Sequence, residues 1–367
     1  MVENLFSGNR ELQIQAATEL SKLSSKQRHR SAERGIISPL VSMLQSQDYE
    51  AIEASLLALL GLAFGSERFV SCLLLSNVHY FSSSICRIQR ISVANSILVL
   101  SRNKIRIVKA GVIPVLLDLV QCQSEELIEL AMAAMLILSS CTANKLVIAS
   151  SGTIQLLVEI LNLVNADTGN ISSFSMQARI DTIATLQNLS TCHQIIPAIA
   201  SSGVIYSLLQ LIHCSEKSSE LTEKAMALLE SIVSSSENSI QETASTGGAI
   251  RILVEAVEEG SPQCKEHAVG ILLHICQSCR DKYRGLILME GVMPGLLQLS
   301  VDGTRRAKSM ARELLLLLRD CSNYASTSKQ SKHELVEQIM QAIEADGEKV
   351  TGTTLGLVEE MITKLST

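Results

Sequence analysis

The 367-residue sequence contains no tryptophan, 3% aromatic residues in all, and five prolines. A core without large rings has to be filled by Leu, Ile, Val, Ala and Met, which suits closely packed helices. Apolar alternation over four to eight residues is scarce too, which argues against a sandwich, a barrel or a parallel sheet. The net charge is -6 and no run of Lys and Arg occurs, so nucleic acid finds no electrostatic footprint. No window offers 18 apolar residues in succession, so no membrane partner is expected.

Chemistry-bearing motifs are missing as well. There is no glycine-rich phosphate loop, no Gly-x-Ser-x-Gly elbow, no His-Glu-x-x-His helix and no dinucleotide fingerprint. Neither an enzyme nor a cofactor is expected. His274, Cys276 and Cys279 form a His-x-Cys-x-x-Cys cluster. A closed zinc site needs four ligands, and no second cysteine pair stands at finger spacing, so the cluster reads as a helix end and the start of a connector. The ten cysteines are scattered, mostly in apolar stretches where a free thiol behaves as a small hydrophobe. That usage suits a reducing compartment, and the opening MVENLFSGNR lacks a signal-peptide core, so cytoplasm or nucleus is expected.

What the sequence does contain is a repeat. Six segments align on Gly35, Gly111, Gly152, Gly203, Gly248 and Gly291, as in GIISPLVSML, GVIPVLLDLV and GTIQLLVEIL. Their usual spacing is about 42 residues, the length of helical repeat arrays. The fifth residue after each glycine is leucine: Leu40, Leu116, Leu157, Leu208, Leu253 and Leu296. Apolar residues two, five, six and nine after the glycine share one helical face, which predicts one buried stripe per copy. Pro39, Pro114 and Pro294 follow closely on their glycines, where a starting helix has no need of an N–H. A second amphipathic helix precedes each glycine, for example ELIELAMAAMLILSS, and short connectors such as NKLVIASSG join the two. Asn103 and Asn144 are read as helix N-caps in those connectors.

The string Gly-x-Ile-x-x-Leu-Val/Leu, preceded by Asn-Lys and a helix ending in Leu-Ser, resembles the Armadillo repeat. In detail it is similar to the plant subgroup found in the C-terminal halves of plant U-box ubiquitin ligases. The resemblance implies an all-α, right-handed superhelical solenoid of six to seven repeats over residues 1–320, with a concave groove for a peptide or partner domain. It implies a protein–protein interaction scaffold. A substrate adaptor or regulator in ubiquitination, acting with a separate ligase, is the alternative, because no U-box precedes the array in these residues. Karyopherin-like cargo binding is disfavoured: there is no Trp, and at the corresponding Asn position stand Gly61, Ile137, Asn188, Ser231, His274 and Leu317, of which Asn188 alone matches.

On the glycine-led helices, positions seven and ten leave the apolar stripe, and the resemblance implies that they look into the groove. Position seven reads Ser42, Asp118, Glu159, Gln210, Glu255 and Gln298, and position ten reads Gln45, Gln121, Asn162, His213, Glu258 and Val301. Neither row holds Lys or Arg, so the surface is polar to acidic and would favour a partner bearing Lys or Arg; an ordinary solvated helix face is the other reading. The candidate partner-binding residues are Asp118, Glu159, Asn188, Gln210, Glu255, Glu258 and Gln298. Two segments break the pattern. Residues 69–102 have no Gly, Pro, Asp or Glu, and read as an insertion or as a degenerate repeat. Residues 321–367 read as a polar linker followed by an amphipathic helix, HELVEQIMQAIEA, that caps the array or serves as an interaction tail.

Overall fold

The computed structural model describes residues 2–23, 27, 31–32, 34–64, 101–162 and 174–319, and among them every regular element is a helix. The chain divides into two compact units, Met1–Ser202 and Gly203–Thr367. Unit 1 contains α1 (Val2–Leu5), α2 (Arg10–Ser21), α3 (Ile37–Leu44), α4 (Tyr49–Phe64), α5 (101–109), α6 (Val112–Val120), α7 (Glu125–Ser139), α8 (Thr142–Ser150), α9 (Thr153–Asn162), α10 (Met176–Ser190) and α11 (Ile196–Ala200). Unit 2 contains α12 (Val204–Cys214), α13 (Glu220–Val233), α14 (Glu237–Ser245), α15 (Ala249–Glu259), α16 (Pro262–Ser278), α17 (Arg280–Met289), α18 (Met293–Asp302) and α19 (Arg305–Leu318).

The expected order of glycine-led helix, long helix and short helix holds in both units. The long helices stack on one another, α2 on α4, α4 on α7 and α7 on α10 in unit 1, and α13 on α16 and α16 on α19 in unit 2. Each glycine-led helix packs on the long helix that follows it. Local chemistry sets where the long helices begin: the hydroxyls of Ser124, Ser175, Ser219, Ser261 and Thr304 each accept the N–H of the residue three further on. These side chains satisfy donors that the helix itself leaves open.

The six repeat glycines all have left-handed backbones, with φ between 77 and 84. A Cβ on any of them would meet no heavy atom within 4 Å, so backbone strain alone, roughly 1–2 kcal/mol, selects glycine there. The turn delivers the leucine five residues on into the core, and all six of these leucines are at most 1% exposed. Position ten corrects the expectation once. Val301 lies in the last turn of α18 and is buried, because an apolar side chain there gains by leaving water.

Residues 69–100 and 320–367 lie outside the described residues, so neither the insertion nor the tail assignment is addressed by the helices. The flanks of the first segment are close together, however. The Asn103 amide donates to the Leu62 carbonyl at 3.0 Å.

Candidate functional site

The residues expected to meet a partner come to the surface of the glycine-led helices. In unit 1, Asp118 on α6 and Glu159 on α9 are exposed, as are Ser42, Gln45, Gln121 and Asn162 in the same rows. In unit 2, Glu258 on α15 and Gln298 on α18 are exposed, while Gln210 on α12 and Glu255 on α15 are half-buried. Glu255 is already engaged: Arg251 Nε lies 3.0 Å from one carboxylate oxygen and Lys217 Nζ 3.8 Å from the other. Glu258 is held above the usual carboxylate range, first by partial burial and then by the charges of Glu259 and Glu255, with Lys265 acting the other way.

Asn188 behaves differently. Its amide nitrogen donates to the Leu136 carbonyl at 3.3 Å and to the Ser139 hydroxyl at 3.0 Å, tying α10 to α7. The matching residue type is therefore spent on repeat-to-repeat contact, although it remains half-buried rather than sealed.

The two connector asparagines are not N-caps. Asn103 falls inside α5, and α8 is preceded by Cys141, which makes no side-chain cap bond, while Asn144 is the helix's third residue. Both asparagines are 2% exposed. The Asn144 amide donates to the Leu138 carbonyl at 3.1 Å and to the Lys104 carbonyl at 3.2 Å. Each asparagine thus satisfies a carbonyl at the C-terminal end of a long helix, where the helix offers no partner of its own. The lysine that follows reaches the other way: Lys104 Nζ donates to the Ser140 hydroxyl at 2.8 Å, and Lys145 Nζ to the Thr191 hydroxyl. Burial lowers the Lys104 pKa, partly offset by Cys141.

Unit 2 contains a charged cluster that the repeat pattern did not announce. The Glu230 carboxylate on α13 meets His267 Nδ1 on α16 at 2.7 Å and Arg306 Nη2 on α19 at 2.6 Å, and Arg306 Nη1 meets Glu266 at 3.1 Å. Burial pushes the Glu230 pKa up, but the hydrogen bonds and charges of His267 and Arg306 outweigh it and hold the carboxyl below its usual value. Gly270 makes room: a Cβ there would stand 2.3 Å from a Glu230 oxygen. That glycine, isolated inside a helical pattern, was the available sequence signal.

His274 and Cys276 lie in the last turns of α16, and Cys279 stands between α16 and α17. Among the described residues no group of three or more His, Cys, Asp or Glu is placed to hold a metal ion. Among the same residues, no single helix is long and apolar enough to cross a membrane.

Comparison with known proteins agrees with this architecture. Residues 143–340 match the plant U-box protein ARM repeat region. U-box domain-containing protein 45 of Arabidopsis thaliana is 30% identical over 223 residues, which are 60% of this chain and 27% of that protein. U-box domain-containing protein 1 of Medicago truncatula is 26% identical over 125 residues, 34% of this chain and 18% of that protein. The matches thus span a minor part of these relatives' length. Among solved structures, an engineered protein aligns with all of this chain and 88% of its own, at a TM-score of 0.61 and 18% identity. A designed armadillo repeat protein in complex with the peptide (KR)4 aligns over 77% of this chain and 99% of its own, at a TM-score of 0.56 and 18% identity.

Proposed function

Because the chain belongs to the family of plant U-box protein ARM repeat regions, we propose that it is a binding scaffold for a Lys- or Arg-bearing peptide or partner domain, received on the exposed acidic and amide side chains of its glycine-led helices. The observation that carries this reading is the surface itself. Asp118, Glu159 and Glu258 are exposed at recurring positions, and no Lys or Arg shares their rows. Complementary charge of this kind gives specificity and a faster encounter more than raw affinity. Support also comes from the designed armadillo repeat protein, whose fold accommodates an alternating Lys-Arg peptide.

The test is fluorescence anisotropy with labelled (KR)4 and an acidic peptide of equal length. The wild-type chain should bind (KR)4 in preference, and Asp118→Lys with Glu159→Lys and Glu258→Lys should weaken binding at least tenfold with helicity intact. Equal binding of both peptides, or no change in the triple variant, would remove the proposal. A second reading follows from the relatives named for a U-box: an adaptor or regulator in ubiquitination working with a separate ligase. Reconstituted ligation with and without the chain distinguishes it, since an adaptor changes which substrate is modified.

A further inference from the structure

The short helices of unit 1 present one outer face in register. Six and five residues before Gly111, Gly152 and Gly203 stand Ile105 and Arg106 on α5, Leu146 and Val147 on α8, and Pro197 and Ala198 on α11. All are exposed except Ile105, which is half-buried, and Leu146 and Val147 are 51% and 48% exposed. Arg102 and Lys109, three or four residues from this pair along α5, are exposed as well and so lie on the same helix side. The helices sit side by side. Asn144 on α8 donates to the Lys104 carbonyl on α5, and Lys145 on α8 reaches Thr191, which ends α10 just ahead of α11.

Charge and apolar surface are graded along this face. Arg102, Arg106 and Lys109 take part in no ion pair among the described residues, whereas Lys104 and Lys145 are spent on hydroxyls. Residues 101–111, 140–152 and 190–203 contain no Asp or Glu, in a chain whose net charge is -6. Unit 2 lacks this character, since Glu237 and Glu242 are exposed on α14 and Asp281 on α17. Cations thus stand at one end, on α5, and apolar side chains continue from them across α8 and α11. A ligand that covers the face needs acids at one end and apolar groups beyond them. Residues 69–100 contain neither Asp nor Glu and do not supply the acids. An anionic bilayer is uniform in its plane and does not match charge confined to one end. Packed helices stand about 8–10 Å apart, and residues seven apart on a helix are separated by a rise of about 10.5 Å. A helix laid across the three therefore brings every seventh side chain onto the next of them.

We propose that the short-helix face of unit 1 docks an acidic amphipathic helix of a partner protein. Its carboxylates pair with Arg102, Arg106 and Lys109, and its apolar residues, seven apart, rest on Ile105, Leu146 and Pro197. Burial of Leu146 and Val147 supplies the apolar contact, and the unpaired cations select the sign of the partner. The face lies on other helices than the acidic rows, and the inference does not rest on the reading given for those rows.

The test is fluorescence anisotropy on the full chain with a labelled helical peptide that has leucines seven apart and glutamates around the first of them, beside its lysine-for-glutamate counterpart. The glutamate peptide should bind at least tenfold more tightly, and added salt should weaken it. Arg102→Glu with Arg106→Glu, and separately Leu146→Ser with Val147→Ser, should each weaken it at least tenfold with helicity intact, because these side chains are exposed. Equal binding of the two peptides, or binding unchanged in either double variant, would overturn the proposal. Flotation of the chain with anionic vesicles, without preference between the peptides, would assign the face to a lipid surface and overturn it. Peptide binding that appears only once residues 69–100 are removed would assign the face to that segment and overturn it equally.

Discussion

The two units join their repeats by different chemistry. In unit 1 the joints at α4–α5 and α7–α8 are neutral amides, Asn103 on the Leu62 carbonyl and Asn144 on the Leu138 carbonyl, with Lys104 and Lys145 reaching forward to hydroxyls. In unit 2 an ionic joint appears: Glu230 holds His267 and Arg306 across three long helices, while Arg280 and Arg284 on α17 donate to the neutral Leu317 and Leu318 carbonyls at the end of α19. The leucine core beneath is the same in both. Burial of that core therefore sets the fold, and the polar joint sets how each unit responds to pH and salt.

The shared core is the easiest element to break. Leu157→Asp places an unpaired charge at a 1% exposed site and should cost on the order of 4 kcal/mol, unfolding much of unit 1 in circular dichroism and melting. A variant with wild-type melting would show that the two units do not share a core register.

The ionic joint comes next. Arg306→Ala removes a partner of a carboxylate whose side chain is 8% exposed, at a cost of about 2 kcal/mol, reduced from a fully buried pair because the arginine is half in water and His267 remains. The pH response follows from the depressed Glu230 pKa. Its contribution is complete above the ordinary value of 4.5 and is lost as pH falls through the lower folded value. Acid should loosen α13, α16 and α19 before α7 and α10 in site-resolved hydrogen exchange, and Glu230→Gln should flatten that difference. Simultaneous loosening in the variant and the wild type would place the acid sensitivity elsewhere.

The neutral joint should be weaker and insensitive to pH. Asn144→Ala leaves the Leu138 and Lys104 carbonyls without their buried donor, about 1–2 kcal/mol, the same at pH 5 and pH 8 in urea titration. The smallest effect is expected from removing residues 69–102. Leu62 and Asn103 already meet across that span, as Leu138 and Asn144 meet six residues apart, and α4 packs directly on α7. The shortened chain should melt at or above the wild-type temperature, and a lower midpoint or loss of solubility would mean that the segment works as a repeat.

Sequence reading reached the parts of this structure that are periodic. The glycine at each turn and the leucine five residues on follow from φ sterics and a 3.6-residue period, and both recur often enough to be seen without coordinates. Asn103 and Asn144 were misassigned because a capping asparagine and one that reaches back to an earlier helix look alike in a string; only the position of Leu62 and Leu138 separates them. The Glu230 cluster joins residues 37 and 76 apart, too far for any local rule, and Gly270 alone hinted at it. Exposure of Asp118, Glu159 and Glu258 was legible from their place off the stripe, whereas the pairing of Glu255 with Lys217 required the fold.

The most direct measurement is carboxyl footprinting of the full chain with and without saturating (KR)4. A partner received on the glycine-led helices should suppress labelling of Asp118, Glu159 and Glu258 at least severalfold while Glu125 and Glu220, exposed at the starts of long helices α7 and α13, label as before. Protection that instead falls on the long helices, with Asp118, Glu159 and Glu258 unchanged, would contradict the account.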